Sequence, residues 1–243
     1  CTQNEDFLNL SKVFQDTLVI EKIIEGQNVL PGKHANTQIP KFVGLARRYE
    51  LTGDQTDYQG AVNFWDIMVK HHSYVTGGNG NHEYLGDPDK LNNELSDNTT
   101  ETCNVYNMLK LSSHLFTWNG DPKVLDYYER ALFNHILSSQ HPESGHVIYN
   151  LSLDMGGFKV YQDPEWFTCC VGTGMENHGK YGKNIYYHTN NDLIVGQFMA
   201  SELNWKEKGV QLRQTTYFPE EESSVIEILN EKPVRFNLKI RYP

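Results

Sequence analysis

The stretches YELTGDQTDYQGAVNFW (residues 49–65) and FTWNGDPKVLDYYERALF (residues 116–133) decide the fold. Each leaves one helical pattern, breaks at Gly-Asp, and enters a second helical pattern. The Gly-Asp pair ends the first pattern in each case. Before the first break, Ile39, Phe42, Val43 and Ala46 recur at helical spacing over 34–52; after it, Ala61, Phe64, Trp65 and Met68 do so. Before the second, Val105, Met108, Leu109 and Ser112 share one face; after it, Leu125, Tyr128 and Leu132 share another. The two units form a weak internal repeat, and repeated helical hairpins build a bundle, a solenoid or a closed ring of paired helices.

Working outward, Phe7, Leu10, Phe14 and Leu18 add one N-terminal helix, and another is expected from about Met175 to Tyr187. Beyond Asn190 the period changes. Leu193 to Trp205, Val210 to Phe218, Ser223 to Leu229 and Val234 to Tyr242 read as strands, with Val234, Phe236, Leu238, Ile240 and Tyr242 alternating. The reading is therefore mainly α, with a helical domain over 1–190 and the beginning of a β domain over 191–243, the boundary falling near 188–192. The chain opens at Cys1 with no methionine or leader pattern and stops just after a strand-like run, so a fragment of a longer protein is expected, with some site residues upstream.

A chain of 243 residues can bury a sizeable core. Its 21 basic against 31 acidic residues, a net charge of -10, oppose nucleic acid or an anionic membrane surface as partner, since both require basic patches. No run of about 18 apolar residues offers a membrane span. The 14 tyrosines suit a carbohydrate-facing cleft and equally suit a polar-lined core.

Two long connections, about 73–100 and about 140–173, interrupt the helical part, and both lead into cysteines. Connections of that length in a compact domain are usually functional or disordered. The four cysteines are Cys1, Cys103, Cys169 and Cys170. Two disulfides or inert buried thiols are the plain alternatives, but a large helical domain has little need of a disulfide framework, and a vicinal Cys169–Cys170 bridge would be strained. Glu101-Thr102-Cys103 sets a carboxylate and a thiolate at the mouth of a helix, and Cys169-Cys170 supplies two more sulfurs from what reads as an irregular segment. Three thiolates and a carboxylate select a tetrahedral, borderline-soft ion, hence Zn2+ on Glu101, Cys103, Cys169 and Cys170. Zinc held by so many anions is a poor activator of water. The site is then structural, or one ligand is itself the reactive group, since a zinc-bound thiol stays deprotonated.

The segments His34-Ala35-Asn36-Thr37-Gln38-Ile39-Pro40-Lys41, Gly77-Gly78-Asn79, Glu101-Thr102-Cys103-Asn104 and Cys169-Cys170-Val171-Gly172-Thr173-Gly174 resemble the β-L-arabinofuranosidases of glycoside hydrolase families 127 and 146, the Bacteroidetes-type members above all. The resemblance covers most of 30–190 in the same order. It implies an (α/α)6 barrel of paired helices, its N-terminal part lying upstream of this chain, followed by β-sandwich domains. It also implies a retaining glycosidase with a zinc-bound cysteine nucleophile, which carries over to Cys169, and a general acid/base, which carries over to Glu83 with Glu94 as the competing candidate in the same loop. His34, Glu129 and Tyr149 match sugar-contacting positions. His34 also reads as a helix-start histidine satisfied by backbone, and Glu129 as a helix charge paired with Arg130 or Lys123. Glu176 and His178 read as supporting residues, and Trp166 and Phe167 as walls of the pocket. The implied partner is an arabinose-containing glycan. Degradation of such glycans points to the periplasm or outside the cell, while reduced zinc thiolates also suit cytoplasm. A sugar epimerase or lyase on a similar barrel, and a zinc-stapled, non-catalytic carbohydrate-binding module, stay open beside this reading.

Overall fold

The computed structural model describes residues 4–163 and 165–242, so Cys1 lies outside the described residues. The chain divides into two compact units, 1–178 and 179–243.

In the first unit, α1 (Glu5–Val13) and α2 (Thr17–Ile24) precede two helical hairpins. The first hairpin is α3 (Ala35–Thr52) and α4 (Gln55–His71); the second is α5 (Thr102–Asn119) and α6 (Pro122–Ala131). The repeat seen in the sequence is a repeat of cap geometry. Gly53 (φ 74°) and Gly120 (φ 66°) each end a helix in the left-handed region, and the Asp54 and Asp121 carboxylates accept the Thr56 and Lys123 amides of the next helix. The hairpins bury the faces that periodicity marked out. Phe42 of α3 stacks on Phe64 of α4 with ring centroids 3.9 Å apart, and Trp65 Nε1 donates to Ser112 Oγ of α5 at 2.8 Å. Removing either phenylalanine ring would cost about 3–5 kcal/mol. After Ala131 the last helix runs on through one wider π turn, Leu132–Ile136, which buries His135. A short helix, α7 (Cys169–Asn177), completes the unit.

The N-terminal expectation of one helix is corrected to two. Phe7, Leu10, Phe14 and Leu18 are all exposed, and the buried residues are Val19, Ile20 and Ile23 of α2. Helical spacing identifies a common face but not whether anything covers it. The helix expected over 175–187 is also corrected. It starts earlier, at Cys169, and ends at Asn177; a 3-10 segment follows over His178–Asn184, and Tyr186–His188 is a strand.

The second unit holds two three-stranded sheets. In one, β1 (Tyr186–His188) pairs antiparallel with β2 (Asp192–Val195), which pairs parallel with β6 (Asn237–Ile240). In the other, β3 (Ser201–Trp205), β4 (Val210–Thr216) and β5 (Ser224–Ile228) form an antiparallel meander. The run 193–205 is thus two strands belonging to different sheets. Leu193, Trp205, Val210 and Leu212 form the core of this unit, and Val234, Phe236 and Leu238 from the alternating C-terminal run pack on it.

Candidate metal centre and active site

Two helix N-termini meet at one point. Glu101 is the residue before α5, in extended backbone, and Cys103 lies in the first turn. This end is pinned from the side by residues 147–151. The Thr102 amide donates to Tyr149 O (2.9 Å), Thr102 Oγ1 donates to Ile148 O (3.2 Å), and Glu101 pairs with Asn150 in an antiparallel bridge. The Gly77-Gly78-Asn79 loop closes over the same end. A side chain at Gly78 would run into Thr100 at 2.5 Å, and the Asn79 carbonyl accepts from the Asn104 amide group at 3.1 Å.

Cys169 and Cys170 are the first two residues of α7, not part of an irregular segment. Thr168 caps this helix, its hydroxyl accepting from the Val171 amide at 3.4 Å and donating to Gln162 Oε1 at 2.7 Å. Two glycines in CCVGTGMEN depress helix propensity, which concealed the element, but packing overrides propensity. Gly174 lies so close to Val147 that a Cβ there would fall 2.8 Å from its methyl.

Cys103 Sγ stands 3.2 Å from Cys170 Sγ, well beyond the covalent S–S length of about 2.05 Å, so the two are free thiols. Cys169 Sγ is 3.7 Å and Cys170 Sγ 4.0 Å from Glu101 Oε1. One ligand atom from each of Glu101, Cys103, Cys169 and Cys170 lies within 4.8 Å of all the others. Ligands about 2.0–2.3 Å from a common tetrahedral centre stand roughly 3.3–3.8 Å apart, so this cluster can hold a metal ion after small adjustment. Two further features fit a cation. The buried Glu101 Oε2 finds no hydrogen-bond partner among the described residues. Three of the four groups are held back from ionising: burial and then the Glu83 charge push Glu101 up, and burial pushes the Cys169 thiol up to about 11. The hydrogen bond to Cys103 raises Cys170 further still, with Cys103 lowered as its acceptor. A divalent cation relieves that conflict, and the positive ends of α5 and α7 favour the same anionic state.

Beside the cluster, Asn81 and Tyr84 exchange backbone hydrogen bonds of 2.8 and 3.0 Å, leaving His82 (φ 45°) and Glu83 (φ 70°) as the two central residues of a tight turn. Two successive left-handed residues normally call for Asn-Gly, and each residue so strained costs on the order of 1–3 kcal/mol. The turn aims the Glu83 carboxylate at Tyr149, whose hydroxyl donates to Oε1, while His34 Nε2 lies 3.5 Å from Oε2. The same Tyr149 hydroxyl is 3.6 Å from Cys169 Sγ. Burial and the Glu83 carboxylate push the Tyr149 phenol far above its usual range, so it remains a donor. Glu83 and Tyr149 open onto a cleft of about 570 Å³, with Asp97, Asn98, Asn150 and Gln162 as polar lining and Phe158 and Val160 as apolar lining.

The structure therefore brings His34, Glu83, Glu101, Cys103, Tyr149, Cys169 and Cys170 together. Glu94 instead engages Asn81 through its carboxylate at 3.4 Å and packs on Gly86. Glu129 is half-buried on α6. Glu176 is exposed at the end of α7, and Trp166 and Phe167 are exposed and absent from the lining of this cleft. Reading the sequence missed Asn36, whose Nδ2 donates to Glu101 Oε1 at 3.1 Å. An asparagine at a helix start is too ordinary a signal to have marked it.

Residues 1–183 match the family model described as the β-L-arabinofuranosidase GH127 catalytic domain, and residues 192–243 match the GH127 middle domain. Among solved structures, a GH127 β-arabinofuranosidase superposes with a TM-score of 0.84 at 24% identity, covering all of this chain and 40% of the other. A GH127 β-L-arabinofuranosidase from Geobacillus stearothermophilus T6 does so at 0.77 and 21% identity, covering 100% and 45%. A further glycoside hydrolase gives 0.79 at 21%, covering 100% and 46%. The chain thus spans less than half the length of these structures. No curated protein matches it. The likeness fixes the architecture: the paired helices are part of an α/α barrel, and the two sheets begin a β-sandwich.

Proposed function

The chain belongs to the GH127 β-L-arabinofuranosidase family, and on that premise we propose that the protein is a retaining glycoside hydrolase releasing L-arabinofuranose from β-L-arabinofuranosides. One observation carries the reading. A single hydroxyl, that of Tyr149, touches both Glu83 Oε1 and Cys169 Sγ. A carboxyl and a nucleophile joined through one hydroxyl are at most two hydrogen bonds apart. That favours the short spacing of retaining enzymes, about 5–5.5 Å, over the 6.5–9.5 Å that inverting enzymes need for a water.

Glu101, Cys103, Cys169 and Cys170 would hold zinc, the ion preferred by three thiolates and a carboxylate. Bound there, zinc would keep the Cys169 sulfur as a thiolate and make it a better leaving group. In the first step the Cys169 thiolate attacks the anomeric carbon while Glu83 gives its proton to the departing glycosidic oxygen. The carbon–oxygen bond breaks and a carbon–sulfur bond forms. In the second step Glu83, now ionised, takes a proton from water as that water attacks the same carbon. The sulfur leaves as thiolate, and the configuration is retained. Tyr149 holds Glu83 through both steps, and His34 approaches the other carboxylate oxygen. His34 and Tyr149, with Glu129, are the proposed contacts to sugar hydroxyls. The strained turn under Glu83 supports a role beyond structure, because a non-catalytic zinc staple has no need of an acid held in left-handed backbone.

The test is metal content together with hydrolysis of p-nitrophenyl β-L-arabinofuranoside. About one equivalent of zinc and measurable release of p-nitrophenol are expected. Glu83→Gln should lower kcat/KM about 10²–10⁴-fold for a substrate with a poor leaving group. The assay is read on the full-length parent, since this chain alone could be inactive where site residues lie upstream; a zinc-loaded parent that cleaves no β-L-arabinofuranoside would overturn the reading.

A further inference from the structure

The Glu101 carboxylate is held by a relay that enters from another helix. Asn36 lies in the first turn of α3, and its Nδ2 donates to Glu101 Oε1 at 3.1 Å. Its own amide oxygen accepts from Asn107 Nδ2 at 2.8 Å. Asn107 follows Cys103 by four residues on α5, so it shares that helix face. An asparagine amide can face either way, and its neighbours decide which. The ionised carboxylate only accepts, so it takes the NH2 of Asn36, and the Asn36 oxygen then turns to the donor of Asn107. The reversed amide would set oxygen against carboxylate and NH2 against NH2. Asn107 therefore braces Asn36 from the far side, and Asn36 holds Glu101. Oε1, the oxygen that faces Cys169 and Cys170 Sγ at 3.7 and 4.0 Å, is the one this donor engages, and a carboxylate oxygen with one donor keeps a second lone pair for an ion.

We propose that Asn36, braced by Asn107, is a positioning residue that fixes the Glu101 carboxylate for metal binding. Groups that orient a ligand are worth about 10- to 100-fold in metal affinity, because without them the ligand must be ordered when the ion binds. The inference rests on the zinc reading above, and the experiment separates the two. Zinc affinity is measured by chelator competition, with no substrate present, for the protein and for Asn36→Ala, Asn107→Leu and the double variant. Melting temperatures are taken with EDTA and with zinc.

The expected result is one zinc per chain in the unsubstituted protein, with affinity about 10- to 100-fold lower in Asn36→Ala. A smaller loss is expected in Asn107→Leu, and the double variant should be no worse than Asn36→Ala, since Asn107 acts through Asn36. The EDTA melting temperature should stay unchanged while the rise on adding zinc shrinks. Undiminished affinity in Asn36→Ala, additive losses in the double variant, or a loss confined to the EDTA melting temperature would each overturn the role of Asn36 and leave the zinc reading standing. An unsubstituted protein that binds no zinc would overturn both.

Discussion

The N-termini of α5 and α7 deliver two ligands each to one cluster, yet they sit in different surroundings. At α5, Glu101 and Cys103 are 2% and 1% exposed and are fastened by Asn36, by Thr102 and by the bridge to Asn150. At α7, Cys170 is buried but Cys169 is exposed, and a threonine cap with a glycine-rich first turn holds the pair. Metal ligands that only bind gain from being fixed and dry. A nucleophile must also meet a substrate. Under the proposed mechanism the asymmetry would give anchoring to α5 and to Cys170, and would leave Cys169 as the side chain that substrate reaches.

The sharpest way to break that assignment is to make the same substitution on both sides. Cys169→Ser should lower turnover of an aryl β-L-arabinofuranoside by at least about 10⁴-fold, since a nucleophile is removed, with the melting temperature little changed. Cys103→Ser should instead release the metal and lower the melting temperature along with activity. Steady-state kinetics, metal analysis and thermal melts on the two variants distinguish them. Equal losses of metal and stability would mean that the two termini do the same job.

A smaller effect is expected where the two sides are joined. Tyr149 is presented by the segment 147–151 that pins α5, and its hydroxyl reaches across to Cys169 of α7 and to Glu83. Tyr149→Phe keeps the ring and removes that link, so kcat/KM should fall by about 10²-fold while zinc affinity holds. A fall in KM affinity alone, with kcat intact, would recast Tyr149 as a pure sugar contact.

These differences bear on what the sequence could reveal. The clustering of Glu101, Cys103, Cys169 and Cys170 was legible because ligand chemistry resides in residue type: few structural needs call for Glu-x-Cys followed by Cys-Cys. The helix pairs were legible because the Gly53-Asp54 and Gly120-Asp121 caps encode local geometry. Glu83 came only through family resemblance. Its physical mark is left-handed backbone, and Asn81-His82-Glu83-Tyr84 contains no glycine to announce it. Asn36 and Thr168 were invisible because their roles depend on partners 65 residues away or on a helix start hidden among glycines. The exposed face of α1 shows the converse limit, since apolar spacing predicts a helix and says nothing of what lies against it.

Packing at α7 offers a graded test. Gly174→Ala forces its new methyl against Val147, which lies on the segment that carries Tyr149. Overpacking of this kind costs about 1–3 kcal/mol. Urea denaturation should report that loss, with zinc affinity reduced as Cys169 and Cys170 shift. The paired change Gly174→Ala with Val147→Ala should recover most of it. No recovery would place the strain within α7 itself.

The smallest expected effect concerns the ground beneath α5. His135 is fully buried in the π turn and touches Thr102, and burial holds its pKa down to about 3; burial likewise holds His72 down to about 4, where it meets the Asn28 amide. Both are neutral in the folded protein, whereas an unfolded chain protonates histidine near 6.5. As pH falls below that value the unfolded state takes up protons that the folded state refuses. The stability present above pH 6.5 is then lost progressively toward the folded values. Each group contributes at most about 1.4 kcal/mol per pH unit in that window. Urea denaturation between pH 6.5 and 5, above the usual carboxylate range, should show stability falling with acid. His135→Asn should remove its share of the slope, whatever it costs at neutral pH. An unchanged slope would mean that His135 gains a proton without unfolding, and that the α5 terminus is less firmly sealed than its burial implies.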